Sequence, residues 1–187
     1  MSTARRAARS RRGFTLVELM VVVTIVGILA TLAFVTFRKW SDSSKTIEAT
    51  SVMRAIAAAQ ERYRGENLAY LNVSSDGGAT PSLTRYYPAT PSGDGTRYAW
   101  ARSSGPDYAR WRLLAPNVKQ PVAFGYATVA GLPGAAAPAV GLATAIDATA
   151  WASVANRPWF VVQSMGYAGS TSSVRVLSSF SNVIAEK

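Results

Sequence analysis

Two apolar patterns follow one another in the first third of the chain. The segment from Phe14 to Phe37 contains a single charge, Glu18, in 24 positions, and its last 19 positions are uncharged. As a helix, such a segment rises about 36 Å, which is enough to cross a hydrocarbon core of about 30 Å. The pattern therefore predicts a transmembrane helix over residues 14–37.

The apolar positions that follow lie on one side of the chain. They are spaced four, three and four residues apart, which is one face of a helix: Val52, Ile56, Ala59 and Tyr63. The opposite face carries polar side chains: Lys45, Glu48, Arg54, Gln60, Glu61 and Arg64. Gly65 is a typical C-cap residue. The two patterns together predict one helix over residues 14–64, with an amphipathic part at 38–64.

Short segments separated by Gly, Pro and Ser occupy residues 65–187, as in a sheet with long loops. Four strands are predicted: 109–114, 121–129, 159–164 and 174–180. The last two are joined by a hairpin-like connection. We expect a mainly antiparallel sheet packed on the amphipathic helix, with Ile56, Ala59 and Tyr63 at the contact, and hence an α+β fold.

Two parts of this region have unusual residue patterns. In 109–114, strict alternation places Trp111 and Leu113 on one face of the predicted strand and the intervening arginines on the other. The alanine-rich stretch 130–158 is consistent either with a surface loop or with a short helix around 146–155, and the pattern does not decide between them.

Charge is distributed unevenly along the chain. Lys and Arg total 20 against 10 acidic residues, a net charge of +10, and five of the arginines precede Phe14. A basic segment before an apolar helix predicts, by the positive-inside rule, a cytoplasmic amino end and an extracytoplasmic domain at 65–187.

The chain contains no cysteine and no histidine. It therefore cannot form disulfides or thiolate metal sites, and it lacks the commonest general base. Asp147 and Glu186 are the only acidic residues after Asp107, too few for the oxygen ligands of a calcium ion. The segment "SDSSK" at 41–45 is more simply read as solvated polar residues than as a Ser/Lys nucleophile. The sequence predicts no enzyme, no cofactor and no metal site.

Glu18 is the residue that needs an explanation. An isolated carboxylate in a transmembrane helix costs roughly 2.5 to 3.5 kcal/mol on insertion scales. The surrounding residues, "RRGFTLVELMVVVTIVGILA", resemble the prepilin amino terminus of type IV pilins and of the pseudopilins of type II secretion. The resemblance implies a pilin-like fold, with the long helix packed on the sheet.

The resemblance also implies residue roles. Residues 1–13 would be a basic leader, Gly13 its last residue, and Phe14 the N-methylated first residue left by prepilin peptidase. Glu18 would meet the amino group of a neighbouring subunit's Phe14 as helices stack into a filament. A paired buried charge costs less than an unpaired one and can set register between subunits.

The same resemblance implies partners and location. The partners would be further copies of the chain and other pilins, prepilin peptidase, and an inner-membrane assembly platform with a motor ATPase. The chain would be a single-pass inner-membrane protein before assembly, then part of an extracellular type IV pilus or a periplasmic pseudopilus. The sequence does not separate pilus from pseudopilus, or major from minor subunit.

Two other interpretations of the amino terminus are less well supported. An ordinary membrane anchor has no use for Glu18 at that depth. A twin-arginine export signal fits "SRRGFTL" superficially, but the apolar run is long for a signal peptide and continues into an amphipathic helix without a break.

Arginines interleave with aromatic residues between positions 97 and 112. Proteins bind single-stranded nucleic acids through cationic side chains next to aromatic rings on which the bases stack. A minor or tip pilin could bind nucleic acid in this way through five residues: Arg97, Trp100, Arg102, Arg110 and Arg112. The favoured interpretation is structural, with the arginines on the solvent face of a strand and the aromatic rings in the core.

Overall fold

The computed structural model describes residues 13–75, 80–101, 107–136, 138, 141–142, 156–168 and 171–186. Its elements are α1 (Leu16–Asn67), α2 (Tyr108–Leu114), β1 (Gly125–Gly131), β2 (Trp159–Ala168), β3 (Thr171–Ser178) and β4 (Ser181–Glu186). The chain divides into two compact units, Met1–Trp40 and Ser41–Lys187. The short helix considered for 146–155 lies outside the described residues.

In the first unit, the apolar part of α1 is exposed along its whole length. Every large apolar side chain from Phe14 to Phe37 is at least 47% exposed. The segment Leu16–Phe37 has a mean hydropathy of 2.6 and is long and apolar enough to cross a membrane. Its three threonine hydroxyls each donate to a backbone carbonyl of the preceding turn, so these polar groups need no outside partner: Thr24, Thr31 and Thr36.

Helix α1 ends later than the sequence predicts. Gly65 is not its cap, because the helix continues to Asn67 and Leu68 takes the left-handed conformation, with φ 59°. Two carbonyls of the last turns are nevertheless satisfied: the Leu68 amide donates to Arg64 O at 2.8 Å, and the Asn67 side-chain amide donates to Tyr63 O at 3.0 Å.

In the second unit, the amphipathic part of α1 packs on the sheet. Ile56 and Ala59 are buried in the main core, and Tyr63 packs against it, as predicted. Gln60 is also buried, although the helical pattern assigned it to the polar face. Its side-chain amide exchanges two hydrogen bonds with the backbone of Leu71, at 2.8 and 2.9 Å, which satisfies the buried polar group.

The four strands form one antiparallel sheet in the order β1-β2-β3-β4. Alternate side chains point to opposite faces, so Phe160 and Val162 of β2 lie in the core that contains α1, whereas Trp159 and Val161 lie in a second core with Leu83. The arrangement confirms the predicted α+β fold, with a helix packed on an antiparallel sheet.

Strand boundaries differ from the prediction in several places. The strand predicted at 121–129 begins only at Gly125, because Val122 instead makes an isolated bridge with Tyr98. Strand β2 extends to Ala168 and β3 begins at Thr171, so most of the predicted hairpin connection is itself sheet. The chain then turns at 179–180 into β4, which was not predicted.

The segment "ARWRLL" at 109–114 was predicted as a strand and is in fact part of helix α2. Trp111 and Leu114, three residues apart, are the side chains it buries, whereas Leu113 is 61% exposed. The short alternation therefore concealed a helical spacing. The end of α2 is held from outside, because the Arg62 guanidinium donates to Leu114 O and Ala115 O at 2.8 and 3.0 Å.

Gly166 in β2 provides a sharp test of the sheet packing. A Cβ built at this position would lie 2.2 Å from Cδ1 of the buried Phe124 ring, far inside van der Waals contact. We expect Gly166→Ala to destabilise the chain by about 1–3 kcal/mol through overpacking. Since 1 kcal/mol corresponds to about 2–4 °C at this chain length, the melting temperature in detergent, followed by near-UV circular dichroism, should fall measurably.

The matched control is Gly65→Ala on α1. A Cβ there meets no atom within 4 Å, and alanine is favoured over glycine in a helix by about 1 kcal/mol. This variant should melt at the same temperature as the parent chain or slightly above it. An unchanged melting temperature for Gly166→Ala would contradict the packing described for β2.

Candidate functional site

The start of α1 is built by a local capping arrangement. Thr15 is the residue before the helix, and its Oγ1 accepts a hydrogen bond from the Glu18 amide at 3.2 Å. The Leu19 amide donates to Thr15 O at 3.2 Å, closing the first helical turn. Threonine followed three positions later by glutamate is the sequence signature of a capping box. The motif thus sets where the helix begins and also places the Glu18 carboxylate in its first turn.

Gly13 and Phe14 precede this helix and are both accessible. Phe14 is 80% exposed, and a Cβ added at Gly13 would meet no atom of the described residues within 4 Å. The peptide bond that joins them lies outside regular secondary structure, next to the first turn of the helix. None of the residues described from Gly13 onward covers this bond, and cutting it would not require α1 to unwind.

Glu18 lies in the first turn of α1 with its carboxylate exposed. The Thr15 hydroxyl reaches its Oε2 at a long 3.5 Å, and the neighbouring side chains, such as Val17 and Leu19, are apolar. A negative charge is favourable at a helix amino terminus. In a hydrocarbon environment the carboxylate would also need a cation, since a lone buried charge is costly.

The candidate nucleic-acid residues take different roles. The Arg97 guanidinium forms an ion pair with Glu48, with Nη2 to Oε2 at 2.5 Å, and also donates to Pro121 O at 3.0 Å. The other Glu48 oxygen accepts the Ala123 amide at 3.0 Å. Arg97 and Glu48 therefore form a clasp that joins α1 to the segment before β1.

The aromatic members of the same stretch are gathered in the interior. Trp100 packs against the main core, with its ring 5.2 Å from that of Tyr87 and 5.3 Å from that of Trp111. Rings held at such distances and angles stabilise a core. Trp100 is thus a packing residue rather than an exposed stacking platform.

The remaining arginines lie on or near α2. Arg110 is half-buried, whereas Arg112 is exposed and its guanidinium lies 5.7 Å from the centre of the Tyr108 ring. Arg102 lies outside the described residues. The structure gathers the aromatic rings in one cluster, while Arg97 and Arg112 bind different partners.

Sequence reasoning missed the environment of Glu48, which it assigned to a solvent-facing side of α1. The carboxylate lies beside a cleft of about 350 Å³ between α1 and residues 117–122. The carboxylate also interacts electrostatically with the buried Tyr126 hydroxyl, which has no hydrogen-bond partner among the described residues. Burial raises the pKa of Tyr126, the Glu48 carboxylate raises it further, and Arg97 and Arg175 oppose the shift.

The clasp can be tested by two substitutions of Glu48. Glu48→Gln removes the charge but keeps an oxygen for the Ala123 amide, so we expect a loss of about 0.2–1 kcal/mol, as for a partly exposed ion pair. Glu48→Ala also removes the acceptor, which should raise the loss to about 1–3 kcal/mol. Urea unfolding of the full chain in detergent measures both. If the two variants were equally stable, the hydrogen bond to Ala123 would contribute nothing.

The comparisons with known proteins give one family match and several partial matches to individual proteins. Residues 8–34 match the family model of the prokaryotic N-terminal methylation motif. The chain is 40% identical to the type IV major pilin protein PilA of Myxococcus xanthus strain DK1622 over 76 residues. These 76 residues are 41% of this chain and 34% of the relative. It is 45% identical to the type II secretion system core protein G of Pseudomonas aeruginosa over 62 residues, which are 33% of this chain and 44% of the relative.

A fimbrial protein of Pseudomonas aeruginosa is 36% identical over 80 residues, covering 42% of this chain and 47% of the relative. Each of these three matches thus spans less than half of the relative's own length. No solved structure matches the chain. The predicted similarity to type IV pilins and to proteins of type II secretion is confirmed, and the chain carries a prepilin-type N-terminal methylation motif.

Proposed function

We propose that this chain is a structural subunit of a type IV pilus-like filament, processed after Gly13 and polymerised through α1. One observation carries the proposal: the methylation motif lies at the start of a helix whose first part, Leu16–Phe37, is apolar and fully accessible. An accessible apolar helix of this size needs either lipid or other helices around it. A subunit that is stored in the membrane has lipid around this helix, and a subunit that later packs into a helical bundle has other helices around it.

In the proposed pathway, residues 1–13 are a leader, and prepilin peptidase cuts the accessible bond between Gly13 and Phe14. Glycine has no Cβ and therefore allows a close approach of the backbone to a protease. The new amino group of Phe14 is then methylated. Residues 14–37 hold the subunit in the inner membrane with the amino end in the cytoplasm, and residues 65–187 form the extracytoplasmic domain.

Assembly brings the Glu18 carboxylate of one subunit to the positively charged amino group of Phe14 on its neighbour. The pair neutralises two charges that would each be expensive in an apolar bundle. Because the two groups lie near the same end of the helix, their pairing also sets the axial register between subunits. The filament would be built by an inner-membrane platform with a motor ATPase, with further copies of the chain and other pilins as its components, and without catalysis by this chain.

A periplasmic pseudopilus of a type II secretion system is the second candidate, supported by the similarity to core protein G. The two candidates share their biogenesis and differ in where the fibre accumulates. A pilus extends from the cell surface and is released by shearing, whereas a pseudopilus is retained in the periplasm.

Intact-mass and amino-terminal analysis of protein from sheared surface fibres tests the proposal. We expect the chain to be abundant in such fibres, to begin at Phe14, and to carry one methyl group on its amino nitrogen. Protein that begins at Phe14 but stays with the cells after shearing would favour the pseudopilus. A product that begins at any other residue would remove the amino group on which the Glu18 pairing depends.

A further inference from the structure

Leu68, immediately after α1, is both exposed and conformationally unusual. Its side chain is 87% exposed, and its backbone has the left-handed φ of 59°. Glycine or asparagine normally occupies this position at the end of a helix, because other side chains are strained there. The Leu68 amide is nevertheless fixed by its hydrogen bond to Arg64 O at 2.8 Å. The fold thus holds an apolar side chain out in solvent at a conformational cost.

The same unit contains a cleft suited to an apolar side chain. It has a volume of about 350 Å³ and is open to solvent between α1 and residues 117–122. Its floor is apolar: Val52, Ala55, Val118 and Val122. Its rim includes the exposed Lys119, together with the half-exposed Arg97 guanidinium and the Glu48 carboxylate, which form an ion pair with each other. The cleft therefore combines an apolar interior with an edge to which Lys119 adds a positive charge beyond the Arg97–Glu48 pair.

We propose that Leu68 of one copy of this chain inserts into this cleft on a second copy. The charges at the two surfaces are complementary, because the exposed Glu66 lies two residues before Leu68, while the exposed Lys119 lies at the rim of the cleft. The proposal rests on the filament function proposed above, since it requires copies of the chain to be brought side by side.

The two surfaces lie at different places on the same unit. Ala55 in the cleft and Leu68 are separated by roughly 20 Å along the axis of α1. The contact is therefore heterologous: each copy offers its leucine to one neighbour and its cleft to another. Such contacts propagate into open helical assemblies when the rotation does not close. One anchor side chain is too small an interface for a stable dimer, so the contact acts only among subunits that are already concentrated in a fibre.

The first test compares two exposed leucines. Leu68→Ala keeps a Cβ and the left-handed backbone but removes the anchor, so the thermal stability of the subunit in detergent should stay the same while fibre yield falls about tenfold, as for a central interface residue. Leu132→Ala is the matched control, since Leu132 is 65% exposed and lies outside the cleft. Normal fibre yield for Leu68→Ala would overturn the proposal.

The second test exchanges charges across the contact. Glu66→Lys places a cation opposite Lys119 and should lower fibre yield up to about fivefold, which is the scale of a contact between two exposed charges. Combining it with Lys119→Glu should restore most of the yield, which a purely structural role of Glu66 would not predict. If the double variant assembled no better than Glu66→Lys alone, the pairing of these surfaces would be wrong.

The third test uses the absence of cysteine from the chain. In fibres of the double variant Leu68→Cys and Ser51→Cys, oxidation should yield a ladder of covalent oligomers, because Ser51 lines the cleft. The pair Leu132→Cys and Ser51→Cys should yield none. If the subunits in the fibres begin at methylated Phe14 but no ladder forms, this inference alone is wrong. If the parent chain forms no fibres, the filament proposal itself is wrong. Crosslinks to a different protein would also contradict a second copy as the occupant.

Discussion

Replacing Glu18 by alanine is expected to lower the number of fibres at least a hundredfold while leaving cleavage after Gly13 intact. In the proposed filament, the substitution leaves the neighbouring Phe14 amino group buried without a counter-charge. Breaking a buried pair in this way costs about 3–5 kcal/mol, and 1.4 kcal/mol is a factor of ten in an equilibrium constant. Quantitative immunoblotting of sheared fibres measures the yield, and the intact mass of the membrane-bound chain measures processing.

Glu18 also takes part in the cap of α1, so the charge must be separated from the helix start. Glu18→Gln keeps a capping residue but removes the charge, and it should lose fibres nearly as completely as Glu18→Ala. Thr15→Ala is the matched control, because it removes the hydroxyl that accepts the Glu18 amide yet keeps the carboxylate. Loss of this cap costs about 0.5–2 kcal/mol of helix stability, and fibres should persist. If Glu18→Gln assembled normally, the charge-pairing argument would be wrong even with processing correct.

Replacing Gly13 by valine is expected to block maturation altogether. A β-branched side chain at the last leader position would hold the backbone away from the protease, whereas glycine allows close approach. The chain should then keep residues 1–13, Phe14 should not be methylated, and no fibres should form, since an uncut chain has no amino group at Phe14 to pair with Glu18. Mass spectrometry of the membrane-extracted chain checks each of these outcomes.

Gly27→Ala is the matched control for Gly13→Val. Gly27 lies within α1, a Cβ there also meets no atom within 4 Å, and alanine favours the helix. This variant should be cut and methylated as the parent chain is. A Gly13→Val chain that was shortened to begin at Phe14 would show that the protease does not depend on glycine, and one that was shortened elsewhere would move the leader boundary.

The amino-terminal methylation motif could be found from the sequence because all of its parts are adjacent in the chain. Gly13, Phe14 and Glu18 fall within six positions, and the apolar run follows directly. Capping, hydropathy and motif spacing are properties of neighbouring residues, so they need no knowledge of packing. The buried face of the amphipathic helix was predicted for the same reason, as Ile56 and Ala59 in the core show.

The second unit resisted the same reasoning wherever a residue's environment comes from far along the chain. Glu48 looked like a solvent-facing residue, yet it pairs with Arg97, 49 positions away, and accepts the Ala123 amide, 75 positions away. Gln60 looked polar and exposed, yet it bonds to the backbone of Leu71 in the interior. The segment 109–114 alternates like a strand but is helical, because Trp111 and Leu114 enter the same core and Arg62 holds its end.

Order along the chain was thus sufficient to indicate an apolar helix long enough to cross a membrane, an N-terminal methylation motif, and an α+β domain that follows them. Contacts between distant segments were needed to assign Arg97 to the clasp with Glu48 and Trp100 to the core. The cleft beside α1 and the exposure of Leu68 also became visible only in the folded structure. The difference has one physical cause. Helix periodicity and hydropathy are set by bonded neighbours, whereas burial, ion pairing and surface shape arise only when the folded backbone brings separate segments into contact.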